Sequence, residues 1–383
     1  MTVENKLRLI DHTIESILKK QKLNAQSREI LPVLGKYCVT AVDLSADSAA
    51  DFPADMAGLR IRVETEPFRE QTERRERAEQ QKQPDKRAPY GGIIRWRHGE
   101  DLSALKNSLK VKASEYNRLY LKLLNAPDVR AEEWEDYACL MKEYGLKGLL
   151  YCDGESLLDP LRTCEALKFL RERIPGGLEF CAGNGLGLAT ANSLAAVSCG
   201  IYKIHTIVGG ANLSEAAAME EVLMACKYFK LAQINPSTEK LAKDCRKIMG
   251  YLNLKVPVDK AIIGSGVFAH ESGIHVDGVI KNPQLYEVIR PEEVGTKRKI
   301  VIGKHSGKAA VRLRYRQMGI ELAEEELTEL MRLIKQTAIK QNAALSCKQL
   351  NNLYMAEFGK CKPVKRSIPE SMGGGLQDVG TKF

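Results

Sequence analysis

Short apolar, β-branched runs recur along the chain at spacings that leave room for one helix between each pair. They fall at LRLID (7–11), CVTAVDL (38–44), LRIRV (59–63), GIIRW (92–96), RLYLKLL (118–124), LKGLLYC (146–152), LEFCA (178–182) and YKIHTIV (202–208). The segments between them carry helical periodicity, as in EEWEDYACLMKEYG (132–145) and DPLRTCEALKFLRERI (159–174). In the second of these, Leu161, Cys164, Leu167, Leu170 and Ile174 are expected to form one apolar face. Strands alternating with helices in this way predict an α/β protein built as a closed parallel (β/α)8, or TIM, barrel. A doubly wound open sheet is the competing arrangement, but it more often carries a dinucleotide fingerprint on its first strand. The only comparable glycine turn, at Gly183, Gly185 and Gly187, is spaced GxGxG and not GxGxxG.

Two stretches break the rhythm. Residues 64–88, ETEPFREQTERRERAEQQKQPDKRA, are almost wholly polar and read as a solvated helix and loop outside the barrel. Past residue 255 the alternation stops, glycine-punctuated short elements follow, and then helices. Ser346 with Gln349 three positions later is a capping-box pattern, and the helix it opens should end at Gly359. Ser306 is expected to cap the helix that carries Val311 and Leu313. The domain reading is therefore a barrel over 1–258, a linker with small α-rich, dimer-forming subdomains over 259–361, and a flexible tail over 362–383.

Composition narrows the class. With 44% apolar and 28% charged residues in 383, the chain reads as a soluble globular protein, and no apolar run approaches the length of a membrane span. The start, MTVENKLRLIDHT, lacks a signal-peptide layout, so a cytoplasmic setting is expected. Ten cysteines without CxxC pairs or framework spacing point to reduced, mostly buried thiols. The formal charge of +9 sits largely in mixed-sign segments and argues against a nucleic-acid partner.

Four stretches carry chemistry: LGLATANSLAAVSCG (186–200), AAAMEEVLMA (216–225), GSGVFAHESGIHVDGVIKNPQLY (264–286) and VGTKRKIVIGKHSGKAAVRLRYRQMG (294–319). Together they resemble the homocitrate synthase and isopropylmalate synthase family, and most of all its short, nitrogen-fixation-type homocitrate synthases. The resemblance covers most of the chain and is faint before residue 130. It implies a TIM barrel followed by helical subdomains in an intertwined homodimer. It also implies Claisen-type condensation of acetyl-CoA with a 2-oxo acid held on a divalent metal, which polarises the keto group.

Position by position, the barrel motifs of that family have eroded. Its first strand ends in Asp-Thr-Thr-Leu-Arg-Asp-Gly-Glu-Gln; here DHTIESILK keeps Asp11 and Thr13 but places Glu15 at the Arg and Ser16 at the metal-binding Asp. An Arg-to-Glu exchange would oppose a developing enolate. Asp153 survives from an Asp-Thr-x-Gly turn, whereas Cys181, Gly183, Asn184 and Gly185 replace most of a His-x-His-Asn-Asp run. The last family ligand, an Asn, is replaced by Ala216. Ser16, Cys181, Gly183 and Ala216 cannot hold a hard cation, so no metal and no other cofactor is expected at the inherited site. The polar residues left near strand ends are Asp11, His12, Asp43, Asp153, Asn184 and His205, which form the candidate substrate-binding set. His12, Cys181 and His205 leave a soft zinc site open if their side chains converge; otherwise they are ordinary rim and packing residues.

The C-terminal motif is intact. In the family, the His of Ser-Gly-x-His reaches into the partner's barrel for proton transfer; that position is His275, flanked by Ser272, Gly273 and Asp277. A catalytic His275 and a purely structural one both stay open. Losses confined to the barrel mouth predict a catalytically impaired synthase-like subunit, either a homodimer or a heterodimer with an active homologous synthase. An active acyltransferase with a rebuilt site, and a sensor that binds an acyl-CoA or 2-oxo acid, are the alternatives. Neither a membrane nor nucleic acid figures among the partners.

Overall fold

The computed structural model describes residues 5–19, 28–50, 52, 59–65, 90–210, 216–271 and 287–359. All of the expected strands form. They are β1 (Arg8–Asp11), β2 (Val39–Ser45), β3 (Arg60–Thr65), β4 (Gly91–Trp96), β5 (Leu119–Leu123), β6 (Gly148–Asp153), β7 (Gly177–Ala182) and β8 (Lys203–Ile207). Each pairs in parallel with the next, and β8 pairs with β1 through Ile10↔His205, which closes the barrel. A two-residue strand, Ala217–Ala218, extends the sheet beside β8. Closure leaves no open edge, and it turns alternate residues of every strand inward.

Four helices frame the part of the barrel that matters for the site. They are α1 (Thr13–Leu18), α2 (Trp134–Glu143), α3 (Pro160–Arg171) and α4 (Ala189–Ser198). Helix α3 starts where Asp159 accepts hydrogen bonds from the Leu161 and Arg162 amides and Pro160 occupies the first turn. Its buried face differs from the expectation: Leu161 is 77% exposed, and Thr163 is buried with Leu167 and Leu170. The capping geometry turns Leu161 outward in the first turn, so the face starts two residues later. Cys164 of α3 is disulfide-bonded to Cys199, which follows α4, where reduced thiols were expected. The two helices pack side by side, which brings Cα atoms 35 residues apart in sequence to 5.9 Å.

The chain divides into two compact units, one within 1–237 and 244–255 and the other within 238–243 and 256–383. The second unit contains α5 (Lys308–Gln317), α6 (Glu324–Gln341) and α7 (Cys347–Phe358). Leu327, Leu330, Ile334 and Ala338 line one face of α6, and Tyr315 of α5 donates its hydroxyl to the Leu350 carbonyl at 2.8 Å. The capping box at α7 forms as the sequence predicts, with Gln349 Oε1 accepting from the Ser346 amide and Ser346 Oγ from the Gln349 amide. Ser306 does not cap α5. Its hydroxyl accepts from the Gly303 amide and donates to the Val301 carbonyl, so it closes the preceding turn, and Gly307 stands at the cap. Among the described residues no helix is long and apolar enough to cross a membrane.

The polar run at 64–88 falls outside the described residues except for its first two positions, Glu64 and Thr65. These extend β3 instead of starting an exterior loop.

Candidate functional site at the barrel mouth

Inside the barrel lies a chain of charged groups that reaches up to the C-terminal ends of the strands. Arg62 of β3 donates to Asp43 at 2.7 and 2.9 Å and to Glu179 at 2.7 and 2.9 Å. All three side chains are buried, and the Arg62 guanidinium lies over the Tyr120 ring. Burial pushes the Glu179 carboxyl upward, but the Arg62 charge beside it, with His205 and Lys203, holds it well below the usual carboxylate range. Burial likewise works against a charged Arg62, and Asp43 and Glu179 outweigh it. A second pair, Lys122 Nζ to Glu64 Oε1 at 2.6 Å, sits among the inward residues of β5 and β3. There too burial opposes both charges, and each partner, helped for Glu64 by Arg95, holds the other ionised.

Above Glu179 comes His205 of β8, fully buried, with Nε2 at 3.2 Å from Glu179 Oε2 and Nδ1 at 2.8 Å from His12 Nε2. His12, immediately past the end of β1, is half-buried. Burial, then the neighbouring charges of His205, Lys122 and Arg62, push its imidazolium form far below the usual histidine range. Cys181 of β7 completes the group: one ligand-type atom from each of His12, Cys181 and His205 lies within 4.8 Å of the others.

The other candidate residues serve the backbone. Asp11 accepts from the Ile14 amide at 3.0 Å, and burial pushes its carboxyl up to about 6. Asp153 spends its two oxygens on the Leu157 and Leu158 amides, at 2.8 and 3.1 Å, and so folds the loop after β6 into a tight hook. Asn184 caps α4 by accepting from the Ala189 amide at 3.2 Å. The structure therefore brings His12, Asp43 and His205 together and sets Asp11, Asp153 and Asn184 apart as local braces. His275, with Ser272, Gly273 and Asp277, lies outside the described residues.

The family metal positions do not fit a hard divalent cation. The Ser16 hydroxyl donates to the His12 carbonyl at 2.9 Å, and Ala216 is buried without a donor atom. Glu15, in the place of the Arg, turns its carboxylate to the Ser45 amide at 3.1 Å. Gly183 is the most telling position. A Cβ there would meet the Asp153 carbonyl oxygen at 2.1 Å and Ser156 Oγ at 2.5 Å. Ser156 Oγ also accepts from the Gly185 amide at 2.8 Å. The hook after β6 thus occupies the space a ligand side chain would need, and the glycine turn holds a serine hydroxyl.

Arg62, Lys122 and Glu179 escape a reading based on strand ends because each lies within its strand, and Glu64 because it opens the polar run. Their signal is a charge inside an otherwise apolar strand run: Arg in LRIRV, Lys in RLYLKLL, Glu in LEFCA.

Comparisons with known proteins agree with this architecture. Residues 262–342 match the family described as "Homocitrate synthase post-HMGL domain-like". The chain is 40% identical over 236 residues to 2-isopropylmalate synthase 2 of Caldanaerobacter subterraneus, covering 60% of each protein. It is 36% identical over 219 residues to homocitrate synthase 1 of Nostoc, covering 57% of this chain and 58% of that one. A shorter match, 47% over 152 residues, is to homocitrate synthase AksA of Methanopyrus kandleri, at 39% and 38% coverage. The chain thus spans at most about three fifths of these curated relatives. Among solved structures, the HMG-CoA lyase of Bacillus subtilis superposes with a TM-score of 0.51 at 16% identity, over 66% of this chain and 96% of that one. The likeness to the lyase is one of barrel fold.

Proposed function

We propose that the chain, which is similar to homocitrate and isopropylmalate synthases, is a synthase-like protein without the family's metal-dependent condensation, acting as partner to an active homologous synthase. Its nearest form within the family would be the short nitrogen-fixation type. The observation that carries this reading is Gly183. A substituted ligand could leave a vacant but usable pocket, whereas here the Asp153 carbonyl and Ser156 stand where the ligand side chain would go. Glu15 adds a negative charge where an enolate would need a positive one. The intact Ser-Gly-x-His motif at His275 is what such a subunit would lend to an active barrel.

Two measurements test it. Alone, with magnesium or manganese, acetyl-CoA and a panel of 2-oxo acids, the chain should release no free CoA thiol above background. Co-expressed under a different tag with an active homologue, it should co-purify and change that enzyme's kcat or KM, and His275→Ala should cancel the change without breaking the complex. Separate homodimers with unaltered activity would sink the proposal, as would metal-dependent thiol release by the chain alone. A second reading, an acyltransferase with a rebuilt site, draws support from the convergence of His12, Cys181 and His205. Turnover in the same thiol assay without magnesium or manganese would favour it.

A further inference from the structure

We infer that His12, Cys181 and His205 bind a single zinc ion at the C-terminal end of the barrel, through a ligand set different from the family's. Only Cys181 stands on a family ligand position; the two histidines come from the end of β1 and from β8. Their ligand atoms lie within 4.8 Å of one another. Two are on barrel strands and the third directly follows one, so the positions are fixed by the closed sheet and not by a loop. Two imidazoles and a thiol form a borderline-soft donor set that suits zinc and disfavours magnesium or calcium.

The surrounding groups are arranged as for a metal-bound histidine. His205 Nε2 faces Glu179 Oε2 at 3.2 Å, and Arg62 fixes that carboxylate at 2.7 Å. A hydrogen bond there places the proton on Nε2 and leaves the Nδ1 lone pair directed at His12, the carboxylate–histidine arrangement that orients metal ligands. The Asp43 carboxylate, 3.7 Å from the same Nδ1, adds negative charge beside a cation. His12 Nε2 and His205 Nδ1 face each other at 2.8 Å, so one of them carries a shared proton that a zinc ion would displace. Tetrahedral zinc with nitrogen ligands at about 2.05 Å sets them roughly 3.4 Å apart, so the pair has to open by only about half an ångström. Three protein ligands leave a fourth position for water or a ligand atom, on the half-buried His12 side.

The test uses the full chain, stripped with a chelator and titrated with zinc, and separately with cobalt(II), in calorimetry and absorption. One equivalent should bind, at least a hundredfold tighter for zinc than for magnesium. The cobalt form should show a thiolate-to-metal charge-transfer band with tetrahedral visible absorption. Cys181→Ser should abolish that band, and His12→Gln should weaken zinc binding at least tenfold. Absence of saturable binding at one equivalent, or a charge-transfer band that persists in Cys181→Ser, overturns the inference. Should the serine variant not fold, X-ray absorption of zinc-loaded wild type decides: sulfur plus two imidazoles supports the site, and an all-oxygen shell refutes it. All of these readouts use the chain alone, so they stand apart from any result with a partner synthase.

Discussion

Adding one methyl group at Gly183 measures how tightly the barrel mouth is shut. The new Cβ would press on the Asp153 carbonyl and on Ser156, so Gly183→Ala should cost about 1–3 kcal/mol. Gly187, four residues on in the same turn, has open space around it but a φ of 72°, so Gly187→Ala should lose about 1 kcal/mol through backbone strain alone. Denaturant midpoints of the two variants separate crowding from conformation; equal losses would mean that the hook yields. Deeper in the barrel, Arg62 neutralises two buried carboxylates, so Arg62→Leu should cost about 3–5 kcal/mol. Adding Asp43→Asn and Glu179→Gln should return part of that loss, since they remove the orphaned charges. The Glu64–Lys122 pair adds a pH signature. The Glu64 carboxyl lies below its ordinary 4.5 in the fold, so its contribution is complete above that pH and is lost as pH falls. Lys122 lies above its ordinary 10.5, so its share is complete below that pH and is lost as pH rises through the raised value. Glu64→Gln with Lys122→Met should therefore flatten stability on both flanks, which unfolding curves at about pH 4, 7 and 11 would reveal. At this scale legibility was uneven. Asp43, His12 and His205 could be picked out as polar residues at strand ends. Arg62 could not, because regular alternation puts Arg60 and Arg62 of LRIRV on the same face, so the pattern does not tell the two apart. Closure alone decides that Arg60 is exposed and Arg62 is buried.

Between elements, the Cys164–Cys199 bond ties α3 to the end of α4 and closes a loop of 35 residues. Chain-entropy arguments give such a crosslink about 3–4 kcal/mol. Reductant should lower the unfolding midpoint of the wild type, and Cys164→Ser should match that lowered value and respond no further. A midpoint insensitive to reductant would show that the two sulfurs are not bonded in solution. The bond was invisible in the sequence because pairing depends on how two consecutive barrel helices pack, and no motif encodes that. Helix ends were more legible where a side-chain pair acts reciprocally. Ser346 with Gln349 forms the expected box, whereas Ser306, with no such partner, closes a turn instead. The misjudged face of α3 has the same origin. Periodicity gives the spacing of Leu167 and Leu170, but capping by Asp159 decides that Leu161 lies outside.

For the molecule as a whole, the barrel was readable because eight apolar strand runs repeat the same signal, and each strand was located within a residue or two. The chemistry was readable only as a pattern of losses. What the barrel interior holds is a set of polar contacts between strands: β2 to β3, β3 to β7, and β7 to β8. The β3–β7 contact joins positions 117 residues apart and the other two join neighbouring strands, and no local pattern announces any of them. The hook between Asp153 and Leu158 also limits which side chains the mouth can accept. Ser16→Asp, Cys181→His and Ala216→Asn are single exchanges, each conceivable on its own. Gly183→His is not, because its side chain would have nowhere to go until Asp153 and Ser156 had moved, and both are fastened by hydrogen bonds to their neighbours. Restoring all four ligands at once should therefore give an unstable protein, not a recovered synthase. The mouth works as a latch: a larger side chain can be placed at the other three positions one at a time, but at Gly183 only after the hook has moved.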